Sequence, residues 1–201
     1  MEEKNVIPIV KNPHSILRKH AKHVLVADIA SPHIQELISA MRATLAATPD
    51  GVGLAAPQVG KSLAIFIVSE EAKEIDKAEE KGWERRRKNE TELVQEKPYA
   101  PREWKYYIFV NPVVKNTSQK KTGGPEGCLS VPGTFGVVAR HEKITVSAYD
   151  EHGKKFTRGA SRFFARVMQH ELDHLDGVLF IDKTKDLITI KRGKGNEPAA
   201  R

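Results

Sequence analysis

Only one cysteine, Cys128, occurs among the 201 residues. An intrachain disulfide is therefore excluded, and with it a small disulfide-stapled secreted scaffold. Long apolar runs are missing too: no stretch approaches the roughly 18 to 20 uncharged apolar residues that span a bilayer, so no membrane contact is expected. The first ten residues carry Glu2 and Glu3 where a secretory signal has a basic region followed by an apolar one, and no signal peptide is expected. These absences together point to a reducing compartment, the cytoplasm by default. Aromatic residues make up 6% of the chain and no basic stripe interleaved with them runs through its body. Sequence-specific nucleic-acid recognition is accordingly not expected.

Charge is plentiful, with 33 Lys and Arg against 26 Asp and Glu and a net of +7. Its placement is uneven. Residues 70–105 hold 11 acidic and 10 basic residues, which nearly cancel, whereas 183–201 hold six basic and two acidic ones. The first region is too short and too polar to bury a core of its own and reads as an insertion. Its early part, 71–88, is rich in helix formers and in Glu/Lys and Glu/Arg pairs three or four apart, which predicts an exposed helix or excursion. The expected organisation is one domain over 1–184, interrupted by the insertion at about 70–105, and a basic, partly disordered tail over 185–201 in which the apolar patch Leu187–Ile190 can dock.

Ser31-Pro32 offers a cap and a proline at the first helical position, after which Ile34, Leu37, Ile38, Met41 and Leu45 recur at helical spacing until Pro49-Asp50-Gly51. Leu63–Val68, Tyr107–Val114 and Ile144–Tyr149 read as strands. The expected class is α+β, with mixed or antiparallel sheets.

The most informative stretch runs from Ser161 to Gly177. At about 100° per residue, Phe163, Val167, His170 and His174 fall on one stripe, with Phe164, Met168, Glu171, Leu172 and Leu175 beside it. Arg162, Arg166, Gln169, Asp173 and Asp176 take the other side, with Arg166 pointing away from the stripe. Ser161 is the expected cap and Gly177 the expected terminator. A pair of core histidines four apart is common enough, but the whole string His170-Glu171-Leu172-Asp173-His174 is the HExxH arrangement. Both imidazoles can reach one metal ion, and the glutamate lies where it can take a proton from an attacking water. A third ligand must come from elsewhere, and His141, His152, an acidic residue and Cys128 are the candidates. Cys128 sits in Gly123-Gly124-Pro125-Glu126-Gly127-Cys128-Leu129-Ser130, whose glycines permit close approach of another element. Small residues also dominate Gly51-Val52-Gly53-Leu54-Ala55-Ala56-Pro57-Gln58, in which Gln58 brings an amide donor and acceptor.

Together the segments Gly51–Gln58, Glu126–Ser130 and Gln169–Leu175 resemble, in order, content and spacing, the three motifs of the peptide deformylases, GxGLAAxQ, EGCLS and QHExDHL. Ile16-Leu17-Arg18 and Gly177–Asp182 extend the likeness. The resemblance implies removal of the formyl group from the N-terminal formyl-methionine of new polypeptides, with release of formate. It implies that Cys128, His170 and His174 hold one divalent metal, ferrous iron first, with zinc, nickel or cobalt as alternatives. It further implies that Glu171 is the general acid/base and that Gln58 and the Leu129 N–H stabilise the oxyanion. The sheets would then pack around a central metal-binding HExxH helix. Val52, Gly53, Glu126 and Gly127 are the expected main-chain partners of an N-formylmethionyl peptide, and Phe163 and Val167 the expected wall for its methionine side chain. The basic tail allows a transient ribosome contact. Two other classes compete: a zinc peptidase with a ligand downstream of HExxH, although no histidine follows His174, and a non-catalytic metal-bound translation factor.

Overall fold

The computed structural model describes residues 5–48, 51–77, 104–184 and 186–189. In chain order its main elements are α1 (Pro32–Ala46), β1 (Gly53–Ala55), β2 (Ile65–Ser69), a helical segment α2 at 71–77, β3 (Tyr106–Thr117), β4 (Lys121–Cys128), β5 (Val131–His141), β6 (Lys143–Tyr149), β7 (Lys155–Ser161), α3 (Arg162–Leu175) and β8 (Leu187–Thr189). Most of the charged insertion, 78–103, and the end of the tail, 190–201, lie outside the described residues, as does the expected fraying there. The apolar patch at the head of the tail forms β8, which pairs with Thr134–Gly136 of β5. No helix among the described residues is long and apolar enough to cross a membrane.

The class is α+β, with two antiparallel sheets. A five-stranded sheet has the order β1-β2-β3-β6-β7 and a three-stranded sheet the order β4-β5-β8. β2 explains why its sequence is an unbroken apolar run. Ile65 and Ile67 face a core shared with Ile34, Leu37, Ile38, Met41 and Leu45 of α1, while Phe66 and Val68 face a second core with Phe164, Ala165, Met168 and Leu175 of α3. A strand covered on both faces has no polar side to show. Each such side chain contributes about 1.5–3 kcal/mol on burial. Phe66 and Phe109 stack across the β2–β3 pair with ring centroids 4.5 Å apart.

The sheets leave two edges that matter. β1 ends the larger sheet and β4 ends the smaller one, so among the described residues each has one side without a strand partner. The segment before α1 is tied to the larger sheet through Asn111 of β3, a buried residue at φ 50°. Its amide accepts from the Val24 N–H at 2.8 Å and donates to the Val24 carbonyl at 2.7 Å. Left-handed geometry is least costly for asparagine among side chains that can make such a pair. Asn111→Ala leaves both Val24 groups without partners, and we expect it to lower unfolding free energy by about 2–4 kcal/mol. A urea midpoint shift at unchanged slope measures this.

Candidate metal centre

The site is assembled on α3 and the strands around it. Gly177 ends the helix as expected, at φ 72°, and a Cβ there would lie 2.7 Å from the Arg18 carbonyl carbon. The start differs from expectation. Ser161 is extended at the cap position but its side chain makes no capping bond. Instead the Asp76 carboxylate, from α2, accepts the N–H groups of Phe163 at 2.9 Å and Phe164 at 3.1 Å.

The side of α3 expected to face away from the core is also covered. Arg166 and Gln169 are buried. Arg166 donates to the carbonyls of Thr122, Gly124 and Val138, and Gln169 brackets the His141 main chain, donating to its carbonyl at 2.9 Å and accepting its N–H at 3.0 Å. The helical wheel misses this because the second surface against α3 is backbone of the smaller sheet, which offers carbonyl groups in place of apolar side chains. Arg166, set away from the cleft by the wheel, lines it.

Cys128, His170 and His174 converge: one ligand atom from each lies within 4.8 Å of the others. Cys128 Sγ is 3.2 Å from His174 Nε2. A tetrahedral divalent ion with sulfur and nitrogen ligands separates its donors by roughly 3.3–3.8 Å, so the donor set and its spacing fit such an ion. His170 Nδ1 lies 3.0 Å from Glu126 Oε2, which leaves Nε2 as the lone-pair nitrogen. The two rings differ in charge: burial holds His174 well below the usual imidazole range, whereas at His170 burial is outweighed by the Cys128 and Glu126 hydrogen bonds, which push it up to about 10, so an ion held there would have to displace a proton. His141 and His152 take no part: His141 Nδ1 bonds the Ser118 carbonyl at 2.5 Å, and His152 occupies the turn after β6.

Glu126 is the hub behind the ligands. Arg140 grips it with two bonds of 2.8 Å, Arg166 adds one of 3.0 Å, and Arg140 reaches on to Asp173 at 2.5 Å. Burial works to raise its pKa, but the hydrogen bonds from Arg140 and His170 outweigh it and hold the carboxyl at about 2. Its side chain thus points inward to His170, while its main chain lies on the β4 edge.

Glu171 has a different environment. It is 3% exposed, its Oε2 has no hydrogen-bond partner, and burial pushes its pKa up to about 7. A Cβ at Gly53 would lie 2.4 Å from Glu171 Oε1 and 2.9 Å from Val167 Cγ1. The second glycine of the Gly51–Gln58 segment is therefore the space that admits the carboxylate. Gln58 is buried; its Oε1 accepts the Ala55 N–H at 2.8 Å, which turns Nε2 toward Cys128 Sγ at 3.6 Å and Ser130 Oγ at 3.3 Å. A cleft of about 690 Å³ opens onto these groups, lined by Val52, Gly53, Gly127, Leu129, Phe163 and Val167 among others. Sequence reading missed Arg140, Asp173 and Lys11, which lines the cleft and donates from Nζ to the Leu129 carbonyl at 2.6 Å. Arg140 and Asp173 carry no local signal, since an isolated Arg and an Asp on the polar side of a helix occur everywhere.

A cysteine sulfur and two imidazoles beside a buried carboxylate, in an open cleft, match the class of metallohydrolase sites with three protein ligands. The polypeptide deformylase family model matches residues 6–189. Peptide deformylase 1A, chloroplastic/mitochondrial, of Arabidopsis thaliana is 41% identical over 87% of this chain, which spans 60% of that relative's length. A peptide deformylase of Symbiobacterium thermophilum is 37% identical over 97% of this chain and 74% of its own. The Met-Ala-Ser-bound crystal structure of a class I type b peptide deformylase from Acinetobacter baumannii superposes with a TM-score of 0.70 at 32% identity, covering 90% of this chain and 99% of that one. The chain belongs to the peptide deformylase family of metal-dependent hydrolases.

The polar hub makes a structural prediction. Arg140→Leu removes three hydrogen bonds from the hub while Glu126 keeps Arg166 and His170 and Asp173 keeps Lys183, and we expect a loss of about 1–3 kcal/mol in urea unfolding.

Proposed function

We propose that this chain removes the formyl group from N-terminal formyl-methionine of newly made polypeptides, with Cys128, His170 and His174 as the metal ligands. The observation that carries the reading is the convergence of those three ligand atoms within 4.8 Å, with the Glu171 carboxylate facing the same cleft. The sheets then serve as walls around a central metal-binding helix, within a catalytic domain over 1–184. A divalent ion bound there supplies Lewis-acid activation of water and of the formyl carbonyl. Ferrous iron is the proposed occupant on the strength of the family resemblance; the mixed sulfur and nitrogen set suits iron and zinc alike, with nickel or cobalt as further alternatives.

The chain's own groups do the rest. Glu171 takes the proton of the attacking water and returns it to the departing amine; its unpartnered Oε2 supports this, as does its place one residue from a ligand. Gln58 Nε2, held beside Cys128 by the Ala55 bond, donates to the formyl oxygen as charge gathers there, together with the Leu129 N–H next in the chain. The substrate lies extended between β1 and β4. Both are edge strands whose residues line the cleft, so Val52, Gly53, Glu126 and Gly127 can offer main-chain groups to a peptide of almost any sequence. The Met-Ala-Ser ligand of the A. baumannii enzyme accords with such a peptide. Phe163 and Val167 form an apolar wall for the methionine side chain. The proposed compartment is the cytoplasm, where a thiolate ligand stays reduced, with transient ribosome contact through the basic residues of the tail.

The test is formate release from formyl-Met-Ala by anaerobically purified protein, alongside elemental analysis. We expect release with about one metal per chain and no cleavage of an unformylated internal peptide bond; the reverse pattern favours a peptidase. Glu171→Ala should keep the metal and the fold yet lower turnover by about 100-fold or more. Cys128→Ser should lose metal during dialysis against a chelator, since an alcohol is a poorer ligand than a thiolate. Full occupancy in that variant removes Cys128 from the site.

A further inference from the structure

We propose that Asp76, carried on α2 at the base of the charged insertion, is a positioning residue for substrate: it fixes the first turn of α3 and thereby sets Phe163 in the wall of the cleft. The inference rests on the reading of that cleft as the formyl-methionine site.

An α-helix begins with N–H groups that have no partner inside the helix. In α3 the Arg162 N–H donates to the Glu142 carbonyl at 2.9 Å, and the Ser161 side chain takes none of the others. Asp76 takes the next two, one on each carboxylate oxygen. Its negative charge also lies at the positive end of the helix, where it is favourable. The entry is tight: Arg162 sits at φ 54°, a conformation that side chains other than Asn and Asp hold only when their surroundings impose it.

Asp76 is itself held in place. The insertion leaves and rejoins the sheet at paired positions, Ser69 opposite Tyr106, with the Glu70 N–H on the Lys105 carbonyl at 2.8 Å. Ala72 is fully buried in the same core as Phe164 and Ala165. Lys73 Nζ lies 4.3 Å from the Tyr107 ring centroid and 5.6 Å from that of Phe164, and those two rings meet edge to face at 5.7 Å. α2 therefore grips the start of α3 by core packing, ring contacts and a two-pronged cap. Phe163, whose N–H is one prong, lines the cleft, and Val167 and His170 follow on the same stripe. A carboxylate 87 residues away along the chain sets where the pocket wall begins.

Steady-state formate release from formyl-Met-Ala and formyl-Leu-Ala tests this with Asp76→Ala and Asp76→Asn, each assayed at measured metal content. Losing a cap costs about 1 kcal/mol of helix stability, so a wall that feels all of that cost sets the upper size of the KM change at roughly fivefold. We expect KM for formyl-Met-Ala to rise about fivefold in Asp76→Ala, with kcat and metal per chain within twofold of the parent and a narrower preference for Met over Leu. Asp76→Asn, which keeps one acceptor oxygen, should fall between, and it carries the test if the alanine variant does not fold. A lowered unfolding midpoint with KM and the Met/Leu ratio unmoved overturns the inference, because that is the signature of a cap with a structural role alone. Absence of formate release by the parent chain instead overturns the proposed activity, and this inference with it.

Discussion

The Glu126 carboxylate is the interaction on which the site depends. It lies 6% exposed between two arginines and an imidazole, and these partners come from two parts of the fold, Arg140 from β5 and Arg166 with His170 from α3. A buried ion pair is weak evidence of stability, because desolvation offsets most of the Coulomb attraction. What this cluster supplies is geometry. Glu126 and Cys128 are two residues apart on β4, and fixing the first fixes the placement of the second against α3. Arg140 extends the tie to Asp173, the residue before His174. One carboxylate thus joins the strand that brings the thiolate to the helix that brings both imidazoles.

The cleft follows from where the two sheets stop. An unpaired edge is normally a hazard for aggregation. Here β1 and β4 bring their edges to the same cleft, and small residues keep both low. At Gly53 the room is taken by Glu171 and Val167, and at Gly124 a Cβ would come within 2.7 Å of Arg166. Substituting alanine at either place would not simply narrow the cleft; it would displace the carboxylate or the hub behind it. The glycines of the two segments are therefore fitted to side chains of α3, which ties three distant stretches of sequence together more tightly than any single motif suggests.

That tie also explains what could be read from the sequence. α3 was legible because its apolar stripe has a clear helical period, and β2 because both of its faces are buried. β4 was not, since Gly123, Gly124, Pro125 and Gly127 deplete it of strand formers; its pairing rests on the long register with β5 and on the Arg140 grip. Arg166 and Gln169 were assigned outward because a wheel distinguishes apolar from polar but cannot see a backbone that will accept hydrogen bonds. Asp76 lies in a stretch so dense in charge that nothing marks one carboxylate as a cap. Residue type alone leaves Cys128, His141, His152 or an acidic residue open as the third ligand, and distance favours Cys128, whose sulfur groups with the two imidazoles within 4.8 Å.

The two imidazoles are not held alike. His170 has its Nδ1 on Glu126, whereas His174 Nδ1 is buried with no partner. The ring of His174 is oriented by enclosure, at 1% exposed, and by an edge-to-face contact with His170 at 4.9 Å. A nitrogen whose second partner is a carboxylate is a more basic ligand than one set in apolar packing. In the proposed centre, Cys128 and the Glu126-bonded His170 would be the electron-rich donors, and His174 would contribute position more than charge. Were a divalent ion held by this set as proposed, one sulfur anion would leave it net positive, which is what polarising a carbonyl requires.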